Sequence, residues 1–400
     1  MKLAKTMGGI LMVAGTAIGA GMLALPVQTA SLGFVPSSFA LIISAFFMAL
    51  SALYLLEVNL WLKDKSTLIS MANATLGKTG KTLTWLSYLL LLYALLSAYL
   101  KGASGWLLTS LSATSIQLSE PCAMLLIALV TGFCIAYGTK AVDYLNRYLS
   151  LGLITAYLLL LTLALPKVDI ALLKFNDYEK FGQVFPLMLT SFGFSIIVPS
   201  LNHYFKGSKL QLLTVILGGT LLTLMVYLFW EAVIFGLIPS DGVNGLNAIA
   251  TQGDNGTRVV LALQAITQHS FIGHCAGIFA ICAITTSFLG VSLSAFHFLE
   301  EASHTYIKKP QPLLLLLILF LPPFCWAIFF PQGFEQILSL AGLFVAFLLG
   351  ILPAWMLYRG RYTLKLSHGF KTPGGRPLII ICLLFFSTVI LIDVWQCFVV

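Results

Sequence analysis

Charge is what this sequence lacks. Only 9% of its 400 residues are Asp, Glu, Lys or Arg, against about 25% in an ordinary soluble protein, while 59% are hydrophobic and the mean hydropathy is +0.97. The formal net charge of +8 does not point to nucleic acid, because the basic residues stand singly between apolar stretches instead of sharing a face. The seven cysteines, Cys122, Cys134, Cys275, Cys282, Cys325, Cys382 and Cys397, form no CxxC pair. They lie almost entirely inside apolar runs and read as packing residues. His269 and His274 are spaced poorly for a metal on one helix face, and His203, His297 and His304 read as interfacial, so no metal site is expected. No nucleophile and base stand together, so the chain is not read as an enzyme. The longest polar stretch, about 239–270, is too short to build a core of its own.

What the sequence has in abundance is long apolar runs. Bounded by Pro, Gly and charge, they predict eleven helices, at about 7–30, 34–62, 82–110, 121–138, 148–166, 183–205, 209–238, 271–299, 312–330, 334–358 and 377–397. Each meets the roughly 20-residue length needed to cross a bilayer as a helix. A membrane barrel is excluded, since its strands alternate apolar and polar residues over about ten positions. With the N-terminus cytoplasmic, seventeen of the 22 Lys and Arg residues fall in inside segments, among them Lys63, Lys65, Lys308 and Lys309. Four fall outside, and Lys101 lies within the third span, so the positive-inside rule places the N-terminus inside and the C-terminus outside. Lys2 and Lys5 ahead of the first run resemble the basic start of a signal peptide, but the run is expected to be retained as span 1.

Residues 1–400 therefore read as a single membrane transport domain in the lipid bilayer. Spans 1–5 occupy 7–166 and spans 6–10 occupy 183–358, with span 11 at 377–397 appended. Five spans is an odd number, so the two halves would be inverted repeats. Inverted halves with interruptions in corresponding helices are the sequence pointer to a secondary transporter with its site at mid-membrane.

Two such interruptions are present. Span 1 carries Gly15, Thr16, Ala17, Ile18, Gly19, Ala20 and Gly21 at mid-run, followed by Pro26. Each interior glycine costs about 1 kcal/mol of helix propensity, and backbone freed in lipid is tolerated only where it lines a cavity. Freed N–H groups at a half-helix N-terminus suit a carboxylate and freed carbonyls suit an ammonium, the two ends of an amino acid. A GxxxG packing face through Gly15 and Gly19 is the alternative. Span 6 repeats the pattern with Thr190, Ser191, Phe192, Gly193, Phe194 and Ser195 between Pro186 and Pro199.

Outside the breaks, Glu57 in span 2 reads as a pathway group, a proton relay or half of an ion pair, or as a side chain snorkelling beside Trp61. Lys101 either snorkels or pairs with an acid. Glu231, after Trp230, and Asp393 read as interfacial. Tyr93 and Ser97 share a helical face in span 3, and Tyr93 and Tyr99 suit stacking on a substrate ring. Thr285, Thr286 and Ser287 in span 8 carry hydroxyls that would ligate an ion or bond back to the preceding turn.

The segments VAGTAIGAGMLALP at 13–26, LLEV at 55–58, LYALLSAYLKG at 92–102, GTKAVDYLNRYL at 138–149, TSFGFSIIVPS at 190–200, TTSFLGVSLSAF at 285–296, FLPPFCWAIFFPQGF at 320–334 and GGRP at 374–377 together resemble the hydroxy and aromatic amino acid permeases, most closely the tyrosine-specific transport proteins. The resemblance runs end to end. It implies an all-α, leucine-transporter-like fold of the amino acid–polyamine–organocation superfamily, with eleven helices, broken spans 1 and 6, and proton-driven uptake of an aromatic amino acid across a bacterial cytoplasmic (inner) membrane. By the same resemblance Gly15, Thr16, Ala17, Gly19 and Gly21 would hold the substrate's carboxylate and amine opposite Ser191, Phe192 and Gly193. Tyr93 and Tyr99 match the family's span 3 positions. Ser195 departs from the family, whose members place a histidine there, so the choice among tyrosine, tryptophan and phenylalanine stays open.

The expected mechanism is proton symport by alternating access, with Glu57 as the leading proton carrier and no bound cofactor. Within the class the rivals are sodium held by span 1 carbonyls with Thr286 and Ser287, and a hydroxy amino acid as substrate. From other classes, a channel would need a sustained polar stripe and a transport-fold sensor a larger inside segment. No obligate protein partner is implied.

Overall fold

A computed structural model describes residues 2–62, 67–111, 117–242, 245–251, 255–267, 270–304, 311–329, 334–366 and 369–399. His269, Lys63, Lys65, Lys308 and Lys309 lie outside the described residues. Among the described residues the regular structure is helical: α1 (Lys2–Ala17), α2 (Gly21–Gln28), α3 (Phe34–Trp61), α4 (Leu68–Leu111), α5 (Glu120–Tyr137), α6 (Thr139–Ala164), α7 (Phe185–Ser191), α8 (Val198–Phe205), α9 (Lys209–Leu237), α10 (Leu246–Thr251), α11 (Asn255–Thr267), α12 (Ser270–His304), α13 (Pro312–Phe329), α14 (Phe334–Val345), α15 (Leu352–Tyr362) and α16 (Gly375–Val399). Among the described residues ten stretches are long and apolar enough to cross a membrane, and the bent pair α1 and α2, taken as one span, makes the eleventh. This is the eleven-span integral membrane fold expected from the apolar runs. Spans 1 to 11 are α1–α2, α3, α4, α5, α6, α7–α8, α9, α12, α13, α14–α15 and α16. The membrane face that carries the N-terminus is called the N-terminal face below.

Three boundaries differ from the expectation, each for a local reason. Helix α4 starts at Leu68, well before residue 82, and its first nine residues form a separate piece ahead of Gly77, which has a positive φ of 78°. Met71, Ala72, Thr75 and Leu76 bury one side of that piece, an amphipathic pattern too short to read as a span. Span 5 begins at Thr139 rather than 148: its exposed, charged N-terminal turns are helical and carry an i,i+4 ion pair between Asp143 and Arg147 (2.7 Å). The polar 239–270 segment contains α10 and α11, whose Leu246, Ile249, Val259, Val260 and Leu263 are buried. Both helices pack on α2 and cover it at the face opposite the N-terminus.

Lipid chains offer helices no hydrophobic drive to associate, so close backbone approach does that work. The α1–α9 contact shows how. A Cβ on Gly9 would lie 2.7 Å from Phe205 Cζ and 2.8 Å from Val215 Cγ2, and one on Gly218 would lie 3.0 Å from Ile10 Cδ1. Span 10 contains a wide π turn over Ala346–Ile351. Ser51 Oγ of span 2 donates to the Leu349 carbonyl within it, and Gly350 lies directly under the Phe386 ring of span 11.

Candidate functional site

Spans 1 and 6 are both broken, and the breaks meet. The axes of α1 and α2 diverge by 55° across Ile18, Gly19 and Ala20. The turn is tight, not unwound: Met22 N–H donates to the Gly19 carbonyl and Leu23 N–H to the Ala20 carbonyl, both at 3.1 Å. In span 6, α7 ends at Ser191, where Phe192 N–H donates to the Met188 and Leu189 carbonyls (3.2 Å each). A 3₁₀ turn over Gly193–Ile197 then leads into α8. Pro186 and Pro199 sit in the first turns of α7 and α8, where a missing N–H costs no helical bond.

Missing Cβ atoms allow this approach. One on Gly21 would sit 2.8 Å from Ser191 Oγ, and one on Gly19 would strike Ser287 Oγ of span 8. Ser287 uses that closeness: its Oγ accepts from Ala20 N–H at 3.1 Å and is hydrogen-bonded to the Tyr99 hydroxyl of span 3. On the other side stands Tyr227 of span 7, fully buried. Its hydroxyl lies within hydrogen-bond reach of two carbonyls, Ala17 at 2.7 Å and Ser191 at 2.8 Å, which share its one proton, so it reaches the last helical residue before each break. Phe192 packs edge-on against the Tyr227 ring, with centroids 5.3 Å apart. The sequence reading missed Tyr227. The available signal was a tyrosine at mid-depth in an apolar run, four residues before Glu231 and so on the same helical face.

The structure thus brings together Ala17, Gly19, Gly21, Ser191, Phe192, Tyr99 and Ser287. Gly15 and Thr16 lie one turn earlier, on an exposed side of α1. No heavy atom comes within 4 Å of a Cβ built on Gly15, so Gly15 and Gly19 do not form a packing face. Thr16 Oγ1 donates back to the Met12 carbonyl at 2.7 Å. The turns beyond the break behave oppositely: Gly21 through Val27 are all buried. Gly193 is half-buried beside Leu349, and Ser195 is fully buried with no hydrogen-bond partner for its hydroxyl among the described residues.

Tyr93 and Thr286 point elsewhere. Tyr93 Oη donates to the Ile318 carbonyl at 2.8 Å, the acceptor that Pro322, four residues on and lacking an N–H, leaves without its helical donor. Ser97 Oγ lies 2.8 Å from the Tyr93 carbonyl of its own helix and 3.0 Å from the Pro323 carbonyl of span 9. The Thr286 hydroxyl donates within its own helix, to the Ala283 carbonyl at 3.1 Å.

Glu57 takes the ion-pair role. It is wholly buried near the N-terminal face and receives Arg361 Nε at 2.7 Å, Arg361 Nη2, and the Thr372 backbone N–H at 2.6 Å. Arg361 Nη2 also donates to the Thr372 carbonyl at 2.9 Å, and Thr372 Oγ1 to the Leu53 carbonyl at 3.3 Å. This clip ties spans 2 and 10 to the segment before span 11. Lys101 pairs with Glu120 at 2.8 Å. Glu231 corrects the interfacial expectation: it is 0% exposed, held inside by the packing of α2 and α11 over α9, with Thr29 Oγ1 3.2 and 3.4 Å from its two oxygens.

The model of the tryptophan/tyrosine permease family matches residues 2–393. The chain is 35% identical to tyrosine-specific transport system 2 of Haemophilus influenzae, covering 97% of this chain and 96% of that one. It is 32% identical to tyrosine-specific transport system 1 of the same organism, covering 95% and 94%, and 32% identical to a tryptophan-specific transport protein of Pseudomonas aeruginosa, covering 95% and 92%. Its relatives are transport systems and permeases rather than enzymes, and this multi-pass membrane chain belongs to the tryptophan/tyrosine permease family of amino acid transporters.

Proposed function

We propose that this protein imports an aromatic amino acid, tyrosine foremost with tryptophan and phenylalanine as alternatives, by proton symport and alternating access across the inner membrane of a bacterium. The N-terminus is cytoplasmic and the C-terminus outside, as the distribution of basic residues favours. Spans 1–5 and 6–10 are its two inverted repeats. The observation that carries the reading is the junction of the two breaks, where the Tyr227 hydroxyl reaches the Ala17 and Ser191 carbonyls. Helix α2 opens toward the same junction with its positive dipole end, so a zwitterion finds acceptors for its ammonium and a favourable end for its carboxylate within a few ångströms. The relatives named for tyrosine and tryptophan support an aromatic side chain.

The distribution of exposure supports one state of a rocking carrier. The outer half of span 1 is buried beneath α10 and α11, whereas Leu11, Met12, Gly15 and Thr16 of the inner half are exposed. With the N-terminus inside, this is a carrier closed toward the outside.

The test is uptake into liposomes containing the purified protein. An inward proton gradient should drive accumulation of labelled tyrosine, tryptophan or phenylalanine, but not serine, and a protonophore should abolish it. Accumulation that requires sodium at a fixed proton gradient would overturn the coupling. Absence of counterflow exchange would overturn the carrier reading in favour of a channel or a sensor.

A further inference from the structure

We propose that Glu231 carries the coupling proton and is protonated in the outside-closed arrangement described here; the inference rests on the proton-symport reading above. Glu231 lies one turn beyond Tyr227 on the same side of α9 and is fully buried. The carboxylates in ion pairs among the described residues are Glu57, Glu120, Asp143 and Glu300, so Glu231 has no counter-charge among them. Its polar neighbour is the Thr29 hydroxyl at the end of α2.

Hydrogen-bond accounting then assigns its state. A threonine hydroxyl has one proton to give, and Thr29 Oγ1 donates it to the Leu25 carbonyl at 2.8 Å, its shortest contact. With that proton on its nearest acceptor, the longer Thr29–Glu231 contacts at 3.2 and 3.4 Å become a hydrogen bond when a neutral carboxyl supplies the proton, whereas an ionised one competes with Leu25 for the same single donor. An ionised carboxylate here would be buried with neither a cation nor a second donor, which proteins avoid by keeping the acid neutral.

Among the described residues the surroundings offer no substitute charge. From the elements around α9, Glu57 of α3 is committed to Arg361, and Lys5 of α1 donates to the Tyr204 carbonyl near the N-terminal face. Tyr157 of α6 donates to the Val226 carbonyl at 3.0 Å. Lys140, Asp143 and Arg147 of α6, His203 of α8 and Lys209 of α9 belong to the N-terminal face. Lys167, Asp169 and Lys174 are exposed on the turns after α6. The side chain of Arg258 on α11 lies outside the described residues.

Location gives the proton a mechanical consequence. Thr29 closes α2, the outer half of span 1. Neutral Glu231 can stay covered by it, whereas ionised Glu231 needs water and so favours α2 moving away from α9. Proton binding and outer closure are thereby linked, each favouring the other. Tyr227, on the same helix, conveys the position of α9 to both breaks.

The experiment compares wild-type protein with Glu231→Gln, a neutral isostere, in liposomes with an inward gradient of about one pH unit. At one proton per substrate the wild type should concentrate the amino acid about tenfold. Glu231→Gln should still exchange labelled for unlabelled substrate by counterflow, but accumulation should fall to about onefold, and Glu231→Asp should retain part of it. Tenfold accumulation by Glu231→Gln overturns the proposal. Should that variant not fold, infrared spectra of the wild type decide. A protonated carboxyl band that shifts in Glu231→Asp and is lost on raising the pH supports the assignment; no such band at a pH where transport runs overturns it. A wild type that exchanges no aromatic amino acid, or that follows sodium, is the distinct result that overturns the parent reading and this inference with it.

Discussion

Replacing Glu57 with glutamine separates a structural clip from a titrating transport group. The carboxylate accepts from two guanidinium nitrogens and from the Thr372 N–H, and the side chains of Glu57 and Arg361 are 0% and 8% exposed. Bidentate geometry of this kind is among the stronger charge-assisted arrangements. Removing one partner leaves a buried, uncompensated guanidinium, which costs about 3–5 kcal/mol, a large share of the roughly 5–15 kcal/mol that holds a typical domain folded. Arg361→Lys, which keeps the charge but loses the planar fork, should cost less. The double variant Glu57→Gln with Arg361→Met removes both charges, so its loss should be clearly smaller than the sum of the two single losses. The assay is thermal unfolding of the purified protein in detergent, followed by counterflow in liposomes for variants that survive. A Glu57→Gln protein of wild-type thermal stability that exchanges substrate but no longer responds to a proton gradient would refute the clip and restore Glu57 as the proton carrier.

Other expectations follow from the junction and its neighbours. Tyr227→Phe removes the hydroxyl shared by the Ala17 and Ser191 carbonyls and should cost about 1–3 kcal/mol, read as substrate binding weakened by about 5- to 150-fold; unchanged affinity would remove Tyr227 from the site. Gly19→Leu should drive a side chain into Ser287 and abolish substrate binding while leaving a folded protein, as checked by size-exclusion chromatography and a binding assay. Tyr93→Phe deletes the donor to the Ile318 carbonyl, with an expected loss of about 1 kcal/mol in thermal stability and no change in the order of substrate preference measured by competition.

The span count was legible because crossing a bilayer imposes a length and a composition that any helix must meet. The breaks were legible because glycines and prolines at mid-run are costly unless used. What the sequence could not show was which partner each polar side chain finds across the bundle. Glu57 and Arg361 are 304 residues apart, and nothing local distinguishes a carboxylate that meets a guanidinium from one that snorkels. Glu231 was misread for the complementary reason: its depth follows from α10 and α11 covering α2, and a segment judged only by its polarity gives no sign that it packs inward. Tyr93 was read as a substrate contact because its face was right, yet the carbonyl it satisfies was exposed by Pro322, on another helix. Tyr227 announced itself least, since a buried tyrosine matters here only through what its oxygen touches.

The wide turn in span 10 has a rotational consequence. An α-helix advances about 100° per residue, and a π turn in effect inserts one residue into the helix, so everything beyond Ala346–Ile351 is re-phased by about that angle relative to a regular helix. On one side of the turn Gly342 meets the backbone of Pro186 in span 6; on the other, Arg361 meets Glu57 in span 2. Without the extra residue, a helix keeping its grip on span 6 would aim Arg361 well away from its carboxylate, so the two ends of span 10 can face their separate partners because the middle of the helix is out of step.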